Sequence, residues 1–192
     1  MRVNEIFYSL QGEGYHTGTP ATFVRFSGCN LKCPFCDTDF KLSEEMSEED
    51  IVDAVKDNPS DFVVITGGEP ALQLTSSLVD KLHDAGKYVA VETNGTIKLP
   101  LNVDWITVSP KKPYLGNVAE LAYNRADEVK VVFDSIHDVD DYGIVASHYY
   151  LQPCDTGREE ENKEIISKCV EFIKRNPKWK LSLQTQKILN VR

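Results

Sequence analysis

No apolar run in the 192 residues approaches the roughly 18–20 that a membrane-crossing helix needs. The opening residues, MRVNEIFYSLQGEG, lack the basic stretch followed by an apolar core that marks a secretory leader, so a cytoplasmic protein is expected. There is no internal repeat, no Pro/Ser-rich linker and no shift of composition along the chain. With 41% hydrophobic content, residues 1–192 are expected to form a single domain. Positive charge is also scarce: 21 basic residues stand against 30 acidic ones, a formal net charge of −9. Coating a phosphate backbone requires a basic surface, which argues against a nucleic-acid partner. Two acidic runs, residues 44–50 and 159–161, read as solvated helix starts, because acids stabilise the positive end of a helix dipole.

Five cysteines are present, an odd number. In a reducing compartment clustered thiols point to metal or redox chemistry rather than to disulfides. Short apolar runs at 21–26, 62–65, 88–91, 105–108, 129–133, 149–151 and 179–183 read as buried strands. Between them lie helical patterns. One spans about 48–56 and is capped by Ser47 with Asp50 three residues on. A second spans about 72–85, carries Leu74, Leu78 and Leu82, and is closed by Gly86. The last spans about 160–175, with Ile165, Ile166, Cys169, Val170 and Ile173 on one face. Buried strands alternating with helices predict an α/β fold with a parallel sheet and right-handed crossovers. Six or seven strands are too few for an eight-unit barrel, so the expectation is a partial (β/α) barrel of about six parallel strands. Polar, Gly- and Pro-bearing segments follow the strands, at the ends where α/β folds assemble their sites. That placement points to an enzyme.

Cys29, Cys33 and Cys36 form a C-x3-C-x2-C array in one loop. The intervening chain is too short for three separate core positions. Structural zinc would need a fourth ligand, and no further Cys or His lies nearby in sequence. Three thiolates on a four-iron cluster leave one iron open to a ligand, whereas electron carriers usually complete the cluster with four.

This array, with Phe35 before the third cysteine, resembles the signature of radical S-adenosylmethionine (SAM) enzymes, as does Thr66-Gly67-Gly68-Glu69-Pro70 at the end of a strand. The resemblance implies a 4Fe-4S cluster on Cys29, Cys33 and Cys36. SAM would sit on the open iron, and Gly67, Gly68 and Glu69 would hold its amine. It extends to Ser9 through Gly14, Phe23-Val24-Arg25, Cys36-Asp37-Thr38, Glu92 through Thr96, Ser109-Pro110-Lys111, Gln152-Pro153 and Leu183-Gln184-Thr185. Together these are similar to the 7-carboxy-7-deazaguanine synthase family across nearly the whole chain.

That family converts 6-carboxy-5,6,7,8-tetrahydropterin into 7-carboxy-7-deazaguanine, contracting a ring and expelling ammonia, in queuosine and other deazapurine pathways. The resemblance implies Mg²⁺ on Thr38 and a pterin held by Leu10, Gln11, Gly12, Glu13, Arg25 and Thr93. It implies SAM cradled by Phe35, Cys36, Asp37, Gly95, Ser109, Pro110, Lys111, Gln152, Pro153, Cys154 and Asp155, in addition to the Gly67–Glu69 turn. It further implies a homodimer, a reductant such as flavodoxin or ferredoxin, and a trimmed barrel in which a small insert over 40–47 replaces a helix. Glu13 suits the donor edge of a pterin, and Arg25 could grip a substrate carboxylate with two hydrogen bonds.

One departure stands out. After Gln184-Thr185 the family carries a histidine, and here Gln186 stands before Lys187. His16, His83, His137 and His148 are scattered and read as loop or surface residues, Cys154 as lining and Cys169 as core. Two other readings fit part of the pattern. A glycyl-radical activating enzyme shares the cysteine spacing, and a non-catalytic iron–sulfur or zinc module would use the thiols without SAM.

Overall fold

The computed structural model describes residues 1–38 and 43–191. Its centre is a nine-stranded sheet in the order β3-β1-β2-β4-β5-β6-β7-β8-β9. The strands are β1 (Arg2–Leu10), β2 (Pro20–Phe26), β3 (Glu44–Glu45), β4 (Phe62–Gly67), β5 (Tyr88–Thr93), β6 (Trp105–Val108), β7 (Arg125–Phe133), β8 (Val145–Pro153) and β9 (Lys180–Leu181). From β2 through β9 all neighbours pair in parallel, while β1 runs antiparallel to both β2 and β3. The sheet ends on β3 and β9 without closing, which is the partial barrel expected.

Helices cover the outer face. In α1 (Glu48–Lys56), Ser47 and Asp50 form the reciprocal capping box, and Ile51 and Val55 face the sheet. In α2 (Ser76–Asp84), Leu78, Val79 and Leu82 are buried. Gly86 at φ +75° lets its own N–H and that of Lys87 return to the His83 and Leu82 carbonyls, closing the helix end. The expected helix over 72–85 is thus split: a 3-10 turn, Pro70–Leu72, precedes α2. In α4 (Glu159–Arg175), Ile165 and Cys169 are buried, but Ile166 is exposed and Phe172 takes its place against the core. Short α3 (Lys112–Leu115) lies between β6 and β7, α5 (Thr185–Leu189) ends the chain, and no helix joins β7 to β8.

Strand alternation divides the core in two. Val24, Phe26, Val63, Ile65, Val89 and Val91 pack outward against the helices, whereas Ala21, Phe23, Phe62, Val64 and Ala90 point inward. Each fully buried aliphatic side chain contributes about 1.5–3 kcal/mol.

Two sequence expectations change. Residues 2–10 form a strand that the pattern did not reveal, because a register shift between Val3 and Glu5 breaks the alternation. The acidic run at 44–50 is not all helix start: Glu44 and Glu45 extend the sheet as β3, and only Glu48–Asp50 lie in the first turn of α1. Of the stretch expected to carry an insert, residues 40–42 lie outside the described residues.

Candidate functional site

A cavity of about 300 Å³ opens inside the curved sheet. It is lined by Leu10, Gln11, Gly12, Glu13, Arg25, Cys29, Cys33, Phe35, Cys36, Asp37, Thr38, Gly67, Gly68, Thr93, Ser109, Lys111, Gln152, Pro153, Cys154 and Asp155, all named from the sequence. Glu69, Gly95 and Pro110 are not on that wall. The thiol loop enters from the C-terminal end of β2. The 11–19 loop joins β1 to β2 at the opposite end of the parallel strands, so the site is built from both ends of the sheet.

The cysteine loop and the Gly-Gly turn lock together. Gly68 N–H donates to Phe26 O and Glu69 N–H to Gly28 O, at 3.1 and 2.9 Å. A methyl on Gly68 would stand 1.9 Å from the Gly28 carbonyl oxygen, and one on Gly67 (φ +129°) 2.1 Å from Phe26 O. Gly68 therefore admits the backbone of the thiol loop itself, and Gly67 the end of β2 that leads into it. Glu69 is fully buried and accepts from Thr93 Oγ1 (2.7 Å), Asn94 N (2.7 Å) and Ala71 N (3.0 Å). Its carboxylate shapes the turn after β5. Gly95, at φ +80°, packs against Val108 and Leu121 behind the wall. Burial raises the Cys29 and Cys33 thiols, while Leu31 N–H at Cys29 and the Lys111 ammonium near Cys33 pull the other way.

The floor is a charge network. Lys130 Nζ lies 2.5 Å from Glu13 Oε2 and 3.2 Å from Glu92 Oε1, with the lysine side chain almost fully enclosed. Glu13 Oε1 accepts from Gln184 Nε2 and Gln186 Nε2, each at 3.1 Å. Burial alone would raise Glu13, but Lys130 and the two amides override it and hold the carboxyl at about 2. Glu92 also accepts from Gln11 Nε2 (3.3 Å) and Thr66 Oγ1 (3.2 Å). Glu128, two residues before Lys130, accepts from Tyr15 N–H at 3.0 Å, and burial pushes it up to about 7.

At the rim, Lys111 Nζ donates to Ser109 Oγ (2.7 Å) and lies 5.6 Å from the Phe35 ring centre. Burial lowers its pKa. Lys187 on α5 pairs with Asp155 (2.7 Å) and Asp37 (3.2 Å), joining the end of β8 to the residue after Cys36. Arg25 donates from Nε to Glu5 Oε1 at 3.0 Å.

The lining also includes Phe7, Phe23, Leu31, Thr66, Glu92, Asn94, Lys130, Val132, Gln184 and Gln186, for which the sequence had suggested no role. Phe23, Thr66, Glu92, Asn94 and Gln184 lay inside the family-like stretches and Gln186 at the departure from them, while for Lys130 the signal was a charge inside the otherwise apolar Val129-Lys130-Val131. Gln186 occupies the departure noted above, pressed so closely on Gly12 that a methyl there would meet its Oε1 at 1.8 Å. Among the described residues no histidine lines the cavity. His16 and His148 pack around Tyr15 and Trp105, while His83 and His137 pair with Asp104 and Asp134. Cys169 is buried in the core, and burial pushes its thiol up to about 12.

The donor set suits an iron–sulfur cluster. Three soft thiols face one cavity. Among the described residues no three His, Cys, Asp or Glu side chains converge as ligands of a single ion. A cluster of several iron atoms presents its corners to thiolates that stand further apart.

Sheet, thiol loop and Gly-Gly turn together define a radical SAM protein, and the Radical SAM superfamily matches residues 23–179. The 7-carboxy-7-deazaguanine synthase of Bacteroides thetaiotaomicron is 50% identical over 192 residues, covering 100% of this chain and 98% of that one. That of Haemophilus influenzae is 38% identical, covering 97% and 92%. The crystal structure of QueE from Escherichia coli superposes with a TM-score of 0.66 at 29% identity, over 95% of this chain and 92% of that one. The chain belongs to the 7-carboxy-7-deazaguanine synthase family.

Proposed function

We infer that this chain is a lyase converting 6-carboxy-5,6,7,8-tetrahydropterin to 7-carboxy-7-deazaguanine with release of ammonia. The observation that carries the reading is one cavity shared by three thiols and by Glu13, paired there with the buried Lys130, in a chain with close synthase relatives. Cys29, Cys33 and Cys36 would hold a 4Fe-4S cluster, which with SAM bound beside it would supply a 5′-deoxyadenosyl radical.

The chain's own residues bind and orient. Glu13, fixed by Lys130, Gln184 and Gln186, presents an acceptor to the amino and ring N–H donors of a pterin. Arg25 on β2 supplies a cation for the substrate carboxylate. Thr38 offers the hard hydroxyl oxygen suited to Mg²⁺. Phe35, the Gly67–Gly68 backbone, Ser109, Lys111 and the 152–155 segment surround the space left for SAM. Glu69 supports this pocket through Thr93 and Asn94.

An electron from a flavodoxin- or ferredoxin-like protein starts the reaction, and two copies assemble as a homodimer in the cytoplasm. No helix among the described residues is long and apolar enough to cross a membrane.

Anaerobically reconstituted protein given carboxytetrahydropterin, SAM, Mg²⁺ and reductant should form a product with the ultraviolet spectrum of a deazaguanine. Failure to form it with an intact cluster rejects the substrate assignment.

A further inference from the structure

Beside the charge network lies a second, smaller cavity of about 10 Å³, which shares Gln11, Glu13 and Glu92 with the main one. That volume is room for one water-sized molecule. Its wall carries polar groups that the fold leaves unsatisfied. Glu128 is only 2% exposed. Its Oε2 accepts from Tyr15 N–H at 3.0 Å, but its Oε1 has no hydrogen-bond or ion-pair partner among the described residues. His16 Nε2 is enclosed in the same wall without a partner. Thr107 Oγ1 accepts from Trp105 Nε1 at 3.1 Å and keeps a second lone pair.

These groups call for donors and for positive charge. Three acids, Glu13, Glu92 and Glu128, line the space, and the one buried cation beside them, Lys130, is paired with the first two. Burial and the neighbouring His148 lower the His16 pKa, so the ring is neutral at neutral pH and can present a lone pair. Phe62 and Trp105 complete the wall with aromatic rings, which attract a cation presented to their faces. A water molecule has two hydrogens to donate and no charge to offset. An ammonium ion has about the same size, four donors and a positive charge. We propose that this small cavity is an ammonium site, which takes up the nitrogen expelled from the substrate before it leaves the protein. The fit to ammonium stands on the cavity itself, whereas the source of the ion rests on the reading in which ammonia is a product.

Thermal melts of the reconstituted protein at mildly alkaline pH test the site. Ammonium chloride is compared, at equal ionic strength, with tetramethylammonium chloride, whose cation is too large to enter. Ammonium should raise the melting temperature saturably, by about 3 °C at roughly tenfold excess over its dissociation constant. Glu128→Gln, which keeps an acceptor for Tyr15 N–H but carries no charge, should lose most of that rise. Equal melting temperatures in the two salts, or a rise that Glu128→Gln leaves intact, would overturn the proposal and leave a cavity for water. Should the variant not fold, the unaltered chain decides: ¹⁵N-ammonium must give a nuclear magnetic resonance signal whose protons exchange slowly with water, and its absence rejects the site. The two readings fail separately. A chain with an intact cluster that binds ammonium but forms no deazaguanine would remove the reaction as the source of the ion. Product formed by a chain that binds no ammonium would remove the site alone.

Discussion

Lys130 is buried beneath the cavity with its ammonium 2.5 Å from the Glu13 carboxylate. One cation here serves two acids, since Glu92 stands 3.2 Å away on the other side. Replacing it by Lys130→Met would leave two enclosed carboxylates without a counter-charge. Breaking a buried pair from one side costs about 3–5 kcal/mol, and urea unfolding at neutral pH should show a loss of that order. The sign with pH follows from Glu13, which is held at about 2 against an ordinary 4.5. Its contribution to stability is present above 4.5 and fades as pH falls through about 2. The variant and the unaltered protein should therefore converge in acid. An equal gap at every pH would rule out the charge explanation.

Glu128 carries the opposite shift. Burial pushes it up to about 7, with Lys130 and the Tyr15 N–H pulling down and Glu92 and Glu13 adding to the rise. The folded protein thus favours the protonated acid. The stability this gives is complete below 4.5 and is lost as pH rises through about 7. Glu128→Gln keeps an acceptor for Tyr15 and stays neutral. Above pH 7 it should be more stable than the unaltered chain, on the order of 2 kcal/mol, and the advantage should vanish toward pH 4.5. Thermal melts across that range measure it. A variant less stable throughout would show that Glu128 is ionised in the fold.

Gly68 touches the thiol loop rather than open space. In Gly68→Ala the new methyl would stand 1.9 Å from Gly28 O, and backbone on both sides would have to separate. Overpacking of this kind costs roughly 1–3 kcal/mol. Because the displaced segment leads directly into Cys29, iron and sulfide content after reconstitution should fall further than the melting temperature suggests. Retention of a full cluster would mean that the two loops need not meet.

These contrasts mark what can be read from sequence. The first turn of α1 was legible because Ser47 and Asp50 act within three residues, and the thiol loop because its three cysteines share one short segment. Strand β1 was hidden by its bulge, and Lys130 because a lysine between two valines looks like a surface residue until the sheet curls around it. Glu69 was found by its motif, while its geometry, turned toward Thr93 and Asn94, depends on where β5 ends relative to β4. Gln184 and Gln186 reach Glu13 across more than 170 residues of chain, and no local pattern encodes that approach.

Gln186 holds Glu13 from above with a single amide donor. Gln186→Ala removes one of the three groups that keep the carboxylate ionised and oriented. A lost hydrogen bond to a charged group is worth roughly 1.5–3 kcal/mol, so binding of carboxytetrahydropterin should weaken by about tenfold or more while SAM binding is unchanged. Calorimetric titration of each ligand separates the two. Equal losses for both would place Gln186 in general folding of α5 rather than in the proposed hold on the pterin.

Lys187 closes the opposite side of the same helix, bridging Asp155 at 2.7 Å and Asp37 at 3.2 Å. All three side chains are at least one-third exposed, so solvent screens the pair and its worth is at most about 1 kcal/mol. The bridge nevertheless joins two segments of the wall proposed to hold SAM, one of them adjacent to Cys36. In Lys187→Met the affinity for SAM should fall by about two- to fivefold at low ionic strength. The deficit should shrink as salt is added, because the unaltered protein then loses the same interaction by screening. A deficit that persists undiminished at high salt would assign the effect to packing of the lysine stem across the cavity mouth instead of to its charge.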